Sequence, residues 1–251
     1  MTRAPQTTSS LAEHKDSGPI LEVRGVHSGY PGMSVLRDVS LSVERSSAVA
    51  LLGANGVGKT TLLKTICGLI DPTAGCVLLD GNDVTRQPAH RRQEQGLCYI
   101  PEGRGIFRSL TVRENLRLQA ASGHEEQAIE VAVEAFPVLG KRLGQRAGTM
   151  SGGEQQMLAL AQAYVGAHHV ILVDEPSLGL APRVVDEVFS FLELVKSRGA
   201  SLLVVDQFAH RVLEMATTAY LMQRGQIVYA GSTSQLLESE LVTQYLGTRA
   251  I

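Results

Sequence analysis

Three short stretches of this sequence hold residue types, at spacings, that could do chemistry on phosphates. The first is Gly53-Ala54-Asn55-Gly56-Val57-Gly58-Lys59-Thr60-Thr61. It fits G-x-x-x-x-G-K-[ST], a phosphate-binding loop whose lysine reaches the β- and γ-phosphates and whose hydroxyl ligates Mg2+. Gly53, Gly56 and Gly58 open backbone angles closed to residues with a Cβ, so successive N–H groups can converge on one anion. A glycine-rich turn of another kind would not require Lys59, Thr60 and the right flanking elements together. The second stretch is Val170-Ile171-Leu172-Val173 running into Asp174-Glu175-Pro176. An acid at the end of a buried parallel strand, downstream of such a loop, holds Mg2+ directly or through water. The third is Met150-Ser151-Gly152-Gly153-Glu154-Gln155-Gln156, which opens a helix with Ser151 as the expected N-cap. Ser-Gly-Gly ahead of a helix is again an anion-binding arrangement. Tyr30, in Gly29-Tyr30-Pro31-Gly32, is expected at a turn that presents its ring for stacking on a base. The chemistry these residues imply is binding of a nucleoside triphosphate with Mg2+.

The elements that must position them follow from periodicity. Ser47 to Leu52 reads as a buried strand ahead of the loop, and Leu62 to Cys67 has the apolar spacing of a helix behind it. Leu21 to Val26 and Ser34 to Val43 alternate, as half-exposed antiparallel strands do. Ala74 to Asn82 predicts a strand ending in a tight turn, Pro88 to Gln95 a short helix, and Leu97 to Ile100 a buried strand. Pro101-Glu102-Gly103-Arg104-Gly105 follows as a mobile-looking segment before Phe107. From Thr111 to about Gly148 the composition is helical, which predicts an inserted helical subdomain, with Glu125-Glu126 as an exposed helix start. A helix from Arg183 to Lys196, a strand from Ser201 to Val205 and a hairpin around Ala219–Met222 and Gly225–Tyr229 come next. A short acidic helix and Tyr245-Leu246-Gly247 close the chain. Alternating strands and helices around a phosphate loop imply a mostly parallel sheet. Residues 1–19 are polar and have almost nothing to bury, so a flexible tail is expected.

Composition narrows the function classes. A 251-residue chain that is 44% hydrophobic can build one large domain, and its net charge of -2 gives no standing attraction to nucleic acid. No run approaches the roughly 18 unbroken apolar residues of a membrane helix. The start lacks the apolar core of a secretory signal, and three scattered cysteines fit a reduced, cytosolic protein. His168 and His169 have no carboxylate or cysteine at ligand spacing and read as loop residues.

The phosphate loop, Ser151-Gly152-Gly153-Glu154-Gln155 and Val173-Asp174-Glu175-Pro176, in this order and spacing, resemble the ATP-binding subunits of ABC transporters. The Ser-Gly-Gly-Glu-Gln stretch discriminates, because other phosphate-loop families lack it, and the resemblance runs from Leu21 to Gly247. Ile100–Phe107, Thr111–Leu116, Ala147–Met157 and Glu175–Pro182 look like one of the two ATPases of branched-chain amino acid importers. The resemblance implies a P-loop NTPase fold of class α/β. It would have a mostly parallel core, an N-terminal antiparallel β subdomain and a helical subdomain at about 103–165 of an ATPase domain spanning 20–251. It also implies ATP and Mg2+ as cofactors. A second, non-identical ATPase subunit (or a second copy of this chain) and two membrane-spanning permease subunits would be partners, with a solute-binding protein acting indirectly. The place of work would be the cytoplasmic face of the membrane. Two ATPase chains would close head to tail on two ATP molecules. Tyr30 would stack on adenine, Asp174 would assist Mg2+, Glu175 would polarise the attacking water, and Ser151, Gly152 and Gly153 would touch the γ-phosphate held by the partner.

Several positions depart from the general ABC pattern. Glu102 stands where most members have a glutamine that follows the γ-phosphate and Mg2+, Gln207 where most have a histidine, and Ala181 where aspartate is usual. These three are shared with the subgroup. Gln162, in place of a usual arginine, and Asp206-Gln207-Phe208, in place of Glu-Gln-Asn, look individual. Gln207 donates but stays neutral, which leaves room for a regulatory subunit that hydrolyses poorly by itself. A soluble ABC ATPase acting on ribosomes or DNA would carry two ATPase halves or a long coiled coil, and this chain has one phosphate loop and no heptad-rich insert.

Overall fold

A strand buried on both faces can sit only in the middle of a covered sheet, and this constraint organises the chain. The computed structural model describes residues 18–103, 105–120, 123–166, 168–206 and 209–239. The elements begin with β1 (Leu21–Tyr30), β2 (Met33–Val43), β3 (Ala48–Leu52), α1 (Lys59–Ile66), β4 (Ala74–Leu79) and β5 (Asn82–Asp83). Then come α2 (Ala89–Glu94), β6 (Leu97–Ile100), α3 (Val112–Arg117), α4 (Glu125–Ala135), α5 (Pro137–Gly140) and α6 (Gly152–Val165). The described chain finishes with β7 (Val170–Asp174), α7 (Pro182–Ser197), β8 (Ser201–Val205), α8 (Ala209–Met215), β9 (Thr218–Gln223), β10 (Gln226–Ser232) and α9 (Thr233–Glu238). The expected tail up to residue 17, Arg104, Gln207, Phe208 and Tyr245-Leu246-Gly247 lie outside the described residues.

Every residue of β3, β7 and β8 is buried. Their alternate side chains feed two different cores, as a period of two requires. Ala48, Ala50, Leu52, Ile171, Val173, Leu202 and Val204 face a core shared with α3 to α8. Val49, Leu51, Val170, Leu172, Leu203 and Val205 face one shared with α1 and β1, β2 and β4. The larger sheet has the order β10-β9-β3-β8-β7-β6. All its pairings from β9 to β6 are parallel, and β10 joins antiparallel at the edge. The smaller sheet, β2-β1-β4-β5, is antiparallel throughout. The α/β reading with a mostly parallel core is the observed architecture.

The tight turns use the residues their backbones demand. Asp80-Gly81 (φ 50° and 72°) and Arg224-Gly225 (φ 46° and 79°) both have positive φ at the two turn positions, the primed hairpin geometry. Between β1 and β2 the turn is Pro31-Gly32, with Gly32 at φ 77°. Tyr30 is therefore not a turn residue: it ends β1, paired with Met33, with its side chain still 43% exposed.

The helices between β6 and β7 form a second layer. Both α3 and α6 start with a capping box, Thr111 with Glu114 and Ser151 with Glu154, which satisfies free N–H groups at each start. Gln162 of α6 donates from Nε2 to the carbonyl of Asn115 at 3.0 Å. The Asn115 side chain in turn accepts from Phe107 N (2.8 Å) and donates to the carbonyls of Phe107 (3.0 Å) and Thr111 (2.9 Å). Gln162 is thus a buried tie between α6, α3 and the segment after Gly105.

Arg92 is the largest fully buried side chain among the described residues, and it meets backbone carbonyls rather than a carboxylate. Nη1 donates to Thr65 O (2.9 Å) and Ile66 O (2.6 Å), Nη2 to Thr85 O (2.9 Å) and Nε to Gln87 O (3.0 Å). Thr65 and Ile66 lie in the last turn of α1, where carbonyls lack helical donors and a cation suits the helix dipole; Thr65 O also accepts from Gly68 N at 3.2 Å. Gly68 (φ 78°) leaves the room, since a Cβ there would stand 2.8 Å from Arg92 Nε. Arg92→Met should strand these acceptors and cost about 3 kcal/mol or more, with Arg92→Lys intermediate, in urea unfolding. An unchanged midpoint in R92M would show that α1 is anchored by other contacts.

Candidate functional site

The carboxyl ends of the buried parallel strands are where polar residues become possible, and the chemistry-bearing residues collect there. The loop from Gly53 to Gly58 joins β3 to α1 and needs three glycines with positive φ: Gly53 at 148°, Gly56 at 81° and Gly58 at 114°. At Gly53 a Cβ would lie 2.4 Å from Met222 O, and at Gly58 it would lie 3.0 Å from Leu36 Cδ2. At Gly56 there is space, and only the backbone angle asks for glycine. Ala54, Asn55 and Gly56 are exposed, whereas Lys59 and Thr61 are buried. The first N–H groups of α1 have no acceptor within the helix, and Gly58, its N-cap, has no side chain to offer one.

Lys59 Nζ donates to Gly53 O (2.8 Å) and Ala54 O (3.1 Å), so the ammonium lies across the start of the loop. Burial holds its pKa below the ordinary lysine value, against the opposing pull of Glu175 and Asp174. Asp174, at the end of β7, is 1% exposed. Its Oδ1 accepts from Thr60 Oγ1 at 3.3 Å and its Oδ2 from Tyr99 Oη at 2.9 Å. Burial pushes the Asp174 carboxyl up, the two hydroxyl bonds push it down, the Glu102 charge raises it again and Lys59 lowers it.

Glu175 is the residue after β7 and sits at φ 50°, a left-handed conformation rare for glutamate. Its N–H donates to Val205 O at 2.8 Å, at the end of the neighbouring β8. Half-buried, its carboxyl is pushed up first by burial and then by Asp206, with Lys59 opposing. Asp206 continues β8 and is itself buried. It accepts from Ser177 N (3.0 Å) and Ser177 Oγ (2.5 Å), pinning the loop that follows Glu175. Glu102 is exposed, and its charge reaches Tyr99, Asp174 and Glu175.

Lys59, Thr60, Asp174 and Glu175 thus converge at one end of the sheet. The Ser151-Gly152-Gly153 stretch does not join them within the chain. Ser151 caps α6, accepting from Glu154 N at 3.3 Å, while its own N–H donates to Glu154 Oε2 at 2.9 Å. Close approach of α7 requires Gly153, where a Cβ would meet Val184 Cγ1 at 2.8 Å. Helix α6 packs on α3, α4, α5, α7 and β6, whereas α1 packs on β1, β2 and β7. Tyr30 borders a cavity of about 630 Å3 with Ser28, Met33, Leu69, Ile70 and Asp71. Gln207 falls outside the described residues.

Tyr99 and the Ser177–Asp206 pair were not singled out from the sequence. The signal for Tyr99 was a phenol inside the buried run Leu97-Cys98-Tyr99-Ile100, where a hydroxyl must find a partner.

Would this site suit Mg2+? Among the described residues no group of three or more His, Cys, Asp or Glu could hold an ion unaided. Mg2+ is commonly held by one or two carboxylates plus substrate phosphates, and Thr60 Oγ1 and Asp174 Oδ1 are hard oxygen donors. Their 3.3 Å separation is close to the roughly 2.9 Å between adjacent oxygens of an octahedron with 2.0–2.1 Å bonds. The residues fit such an ion with a triphosphate completing its shell.

Comparison with known proteins bears on the whole chain. Residues 36–178 match the ABC transporter family. The chain is 38% identical over 222 residues to the high-affinity branched-chain amino acid transport ATP-binding protein BraG of Pseudomonas aeruginosa, covering 87% of this chain and 95% of that one. It is 38% identical over 219 residues to the probable branched-chain amino acid transport ATP-binding protein LivF of Archaeoglobus fulgidus, covering 86% and 93%. The lipopolysaccharide export system ATP-binding protein LptB of Haemophilus influenzae is 32% identical over 237 residues, covering 91% and 97%. A solved ATP-binding subunit of an ABC transporter superposes with a TM-score of 0.78 at 27% identity, covering 92% of this chain and 95% of that one. Site, fold and relatives agree: the chain belongs to the ABC transporter family, as one of its ATP-binding proteins, and is an ATPase.

Proposed function

We propose that this chain energises an importer for branched-chain amino acids or related small polar solutes, from the cytoplasmic face of the membrane. Its partners in this reading are two membrane-spanning permease subunits and, indirectly, a solute-binding protein. The substrate class rests on BraG and LivF, at 38% identity, standing above the export protein LptB at 32%. Among the described residues no helix is long and apolar enough to cross a membrane, which fits a subunit that acts on separate permeases. Residues 20–251 would form one ATPase domain, with a helical subdomain at about 103–165, behind a tail of residues 1–19.

One observation carries the site: Lys59, Thr60, Asp174 and Glu175 meet at the carboxyl ends of β3 and β7. In this reading the glycine-loop N–H groups and Lys59 hold the triphosphate, with Asn55, Gly56, Gly58 and Thr61 in the same cradle. Thr60 and Asp174 would hold Mg2+, with Glu102 beside them. Held there, Mg2+ would offset the negative charge that develops on the phosphates during transfer. Glu175 orients the attacking water, and its raised proton affinity suits a base working in a carboxylate-rich pocket. Tyr30 offers an exposed face for adenine. Ser151, Gly152 and Gly153 serve the nucleotide of a second ATPase, either a non-identical subunit or another copy of this chain. The separate packing of α6 and α1 favours that arrangement. Gln207 would assist at the γ-phosphate as a neutral donor.

Lys59→Ala should lower ATP hydrolysis by on the order of 10²–10³, the effect of losing one preorganised donor, and should weaken ATP binding. Unchanged turnover would remove the phosphate-loop assignment. Glu175→Gln keeps shape but not charge, so phosphate release should fall by about 10²–10⁴ while labelled ATP still binds. Normal turnover there would put the water elsewhere. Cells whose chromosomal copy carries K59A should lose uptake of labelled leucine, isoleucine or valine. Retention of all three, with loss of another solute, would overturn the substrate class alone.

A further inference from the structure

We infer that Tyr99 is a positioning residue for the metal-binding carboxylate, its hydroxyl fixing which oxygen of Asp174 turns toward Thr60 and the phosphate loop. The inference deepens the proposed site and rests on Asp174 being a ligand of Mg2+.

The strand register makes the contact. β6 is the edge strand beside β7, with Tyr99 opposite Leu172. Asp174 lies two residues further along β7 and so projects on the same face as Leu172. A long aromatic side chain spans that diagonal where a shorter polar one would not. The hydroxyl arrives at Oδ2 at 2.9 Å, leaving Oδ1 with Thr60 Oγ1 at 3.3 Å. The second bond is long for a hydroxyl donor, whose usual distance is about 2.7–2.8 Å. Thr60 alone therefore holds the carboxylate loosely, and the terminal torsion of aspartate is intrinsically broad. Tyr99 supplies the fixed point. Its bond falls on the oxygen turned away from Thr60, so it can persist while Oδ1 and Thr60 Oγ1 share an ion. Tyr99 also borders a cavity of about 210 Å3 with Cys67, Pro101 and Gln162, and phenylalanine, which lacks only the hydroxyl, fits the same space.

Tyr99→Phe removes the hydroxyl alone. The test compares full-length wild type and Y99F for affinity to ATP in EDTA and to Mg2+·ATP. Electron paramagnetic resonance of Mn2+ in the ATP-loaded protein provides a second readout, and Asp174→Ala runs beside them. Outer partners of metal ligands typically contribute 10–100-fold to metal affinity. The expected result is metal-free ATP binding within about twofold of wild type and a loss of about tenfold or more in the advantage Mg2+ confers. An altered Mn2+ spectrum should accompany it. If D174A loses the metal advantage and Y99F keeps it, the role of Tyr99 is overturned and the nucleotide site stands. If both keep it, the metal reading of Asp174 falls, and the inference with it. An equal loss of ATP binding with and without metal in Y99F would mark Tyr99 as packing only and overturn the inference.

Discussion

Burial of both faces of β3, β7 and β8 is the constraint from which the rest follows. A strand covered on two sides can place polar chemistry only at its ends, so Asp174, Glu175 and Asp206 appear in the residues that close or follow β7 and β8. The loop after β3 is held to the same end by parallel pairing, because β8 bonds to β3 on one side and to β7 on the other. Sequence-distant motifs thereby meet without any contact between them being needed during local folding. The two cores divide the labour. One carries α1 and the smaller sheet, the other helices α3 to α8, with Ser151 capping the start of α6.

The site is electrostatically unbalanced by design of its parts. Asp174 and Glu175 both act on Lys59 and Asp206 acts on Glu175, and burial raises the Asp174 and Glu175 carboxyls while lowering Lys59. Carboxylates so placed favour proton or metal as company over each other. In the proposed site a triphosphate arriving with Mg2+ would bring both signs of charge, and the loop N–H groups would answer the phosphates without adding a mobile counterion. The left-handed backbone at Glu175 belongs to the same logic. It costs the chain on the order of 1–2 kcal/mol and redirects the carboxylate as β7 ends.

Local signals explain what could be read in advance. The strand–loop–helix at Leu52 to Ile66, the Ser151 cap, and the apolar run into Asp174 are each written in consecutive residues, and each stands as read. Tyr30 was misjudged by one position, because Pro31-Gly32 makes the whole turn and leaves the tyrosine in β1. Tyr99, Arg92 and the Ser177–Asp206 pair were hidden for a different reason. Asp174, the α1 carbonyls that Arg92 meets and the partner of Ser177 lie tens of residues away, and periodicity gives the existence of strands but not the order β3-β8-β7-β6 that sets who faces whom. The angle at Glu175 had no signal at all, since glutamate is not a residue that announces positive φ.

Arg92 bears on how the frame around the site responds to its surroundings. A guanidinium stays protonated across the range in which proteins remain folded, and the carbonyls it serves do not titrate. Buried, the bonds are also little screened by salt. The far end of α1 is thus gripped by contacts indifferent to acidity and ionic strength, while its near end faces groups that respond to both. Changes in the medium therefore retune the chemistry at one end of this helix and leave its seat in the fold untouched.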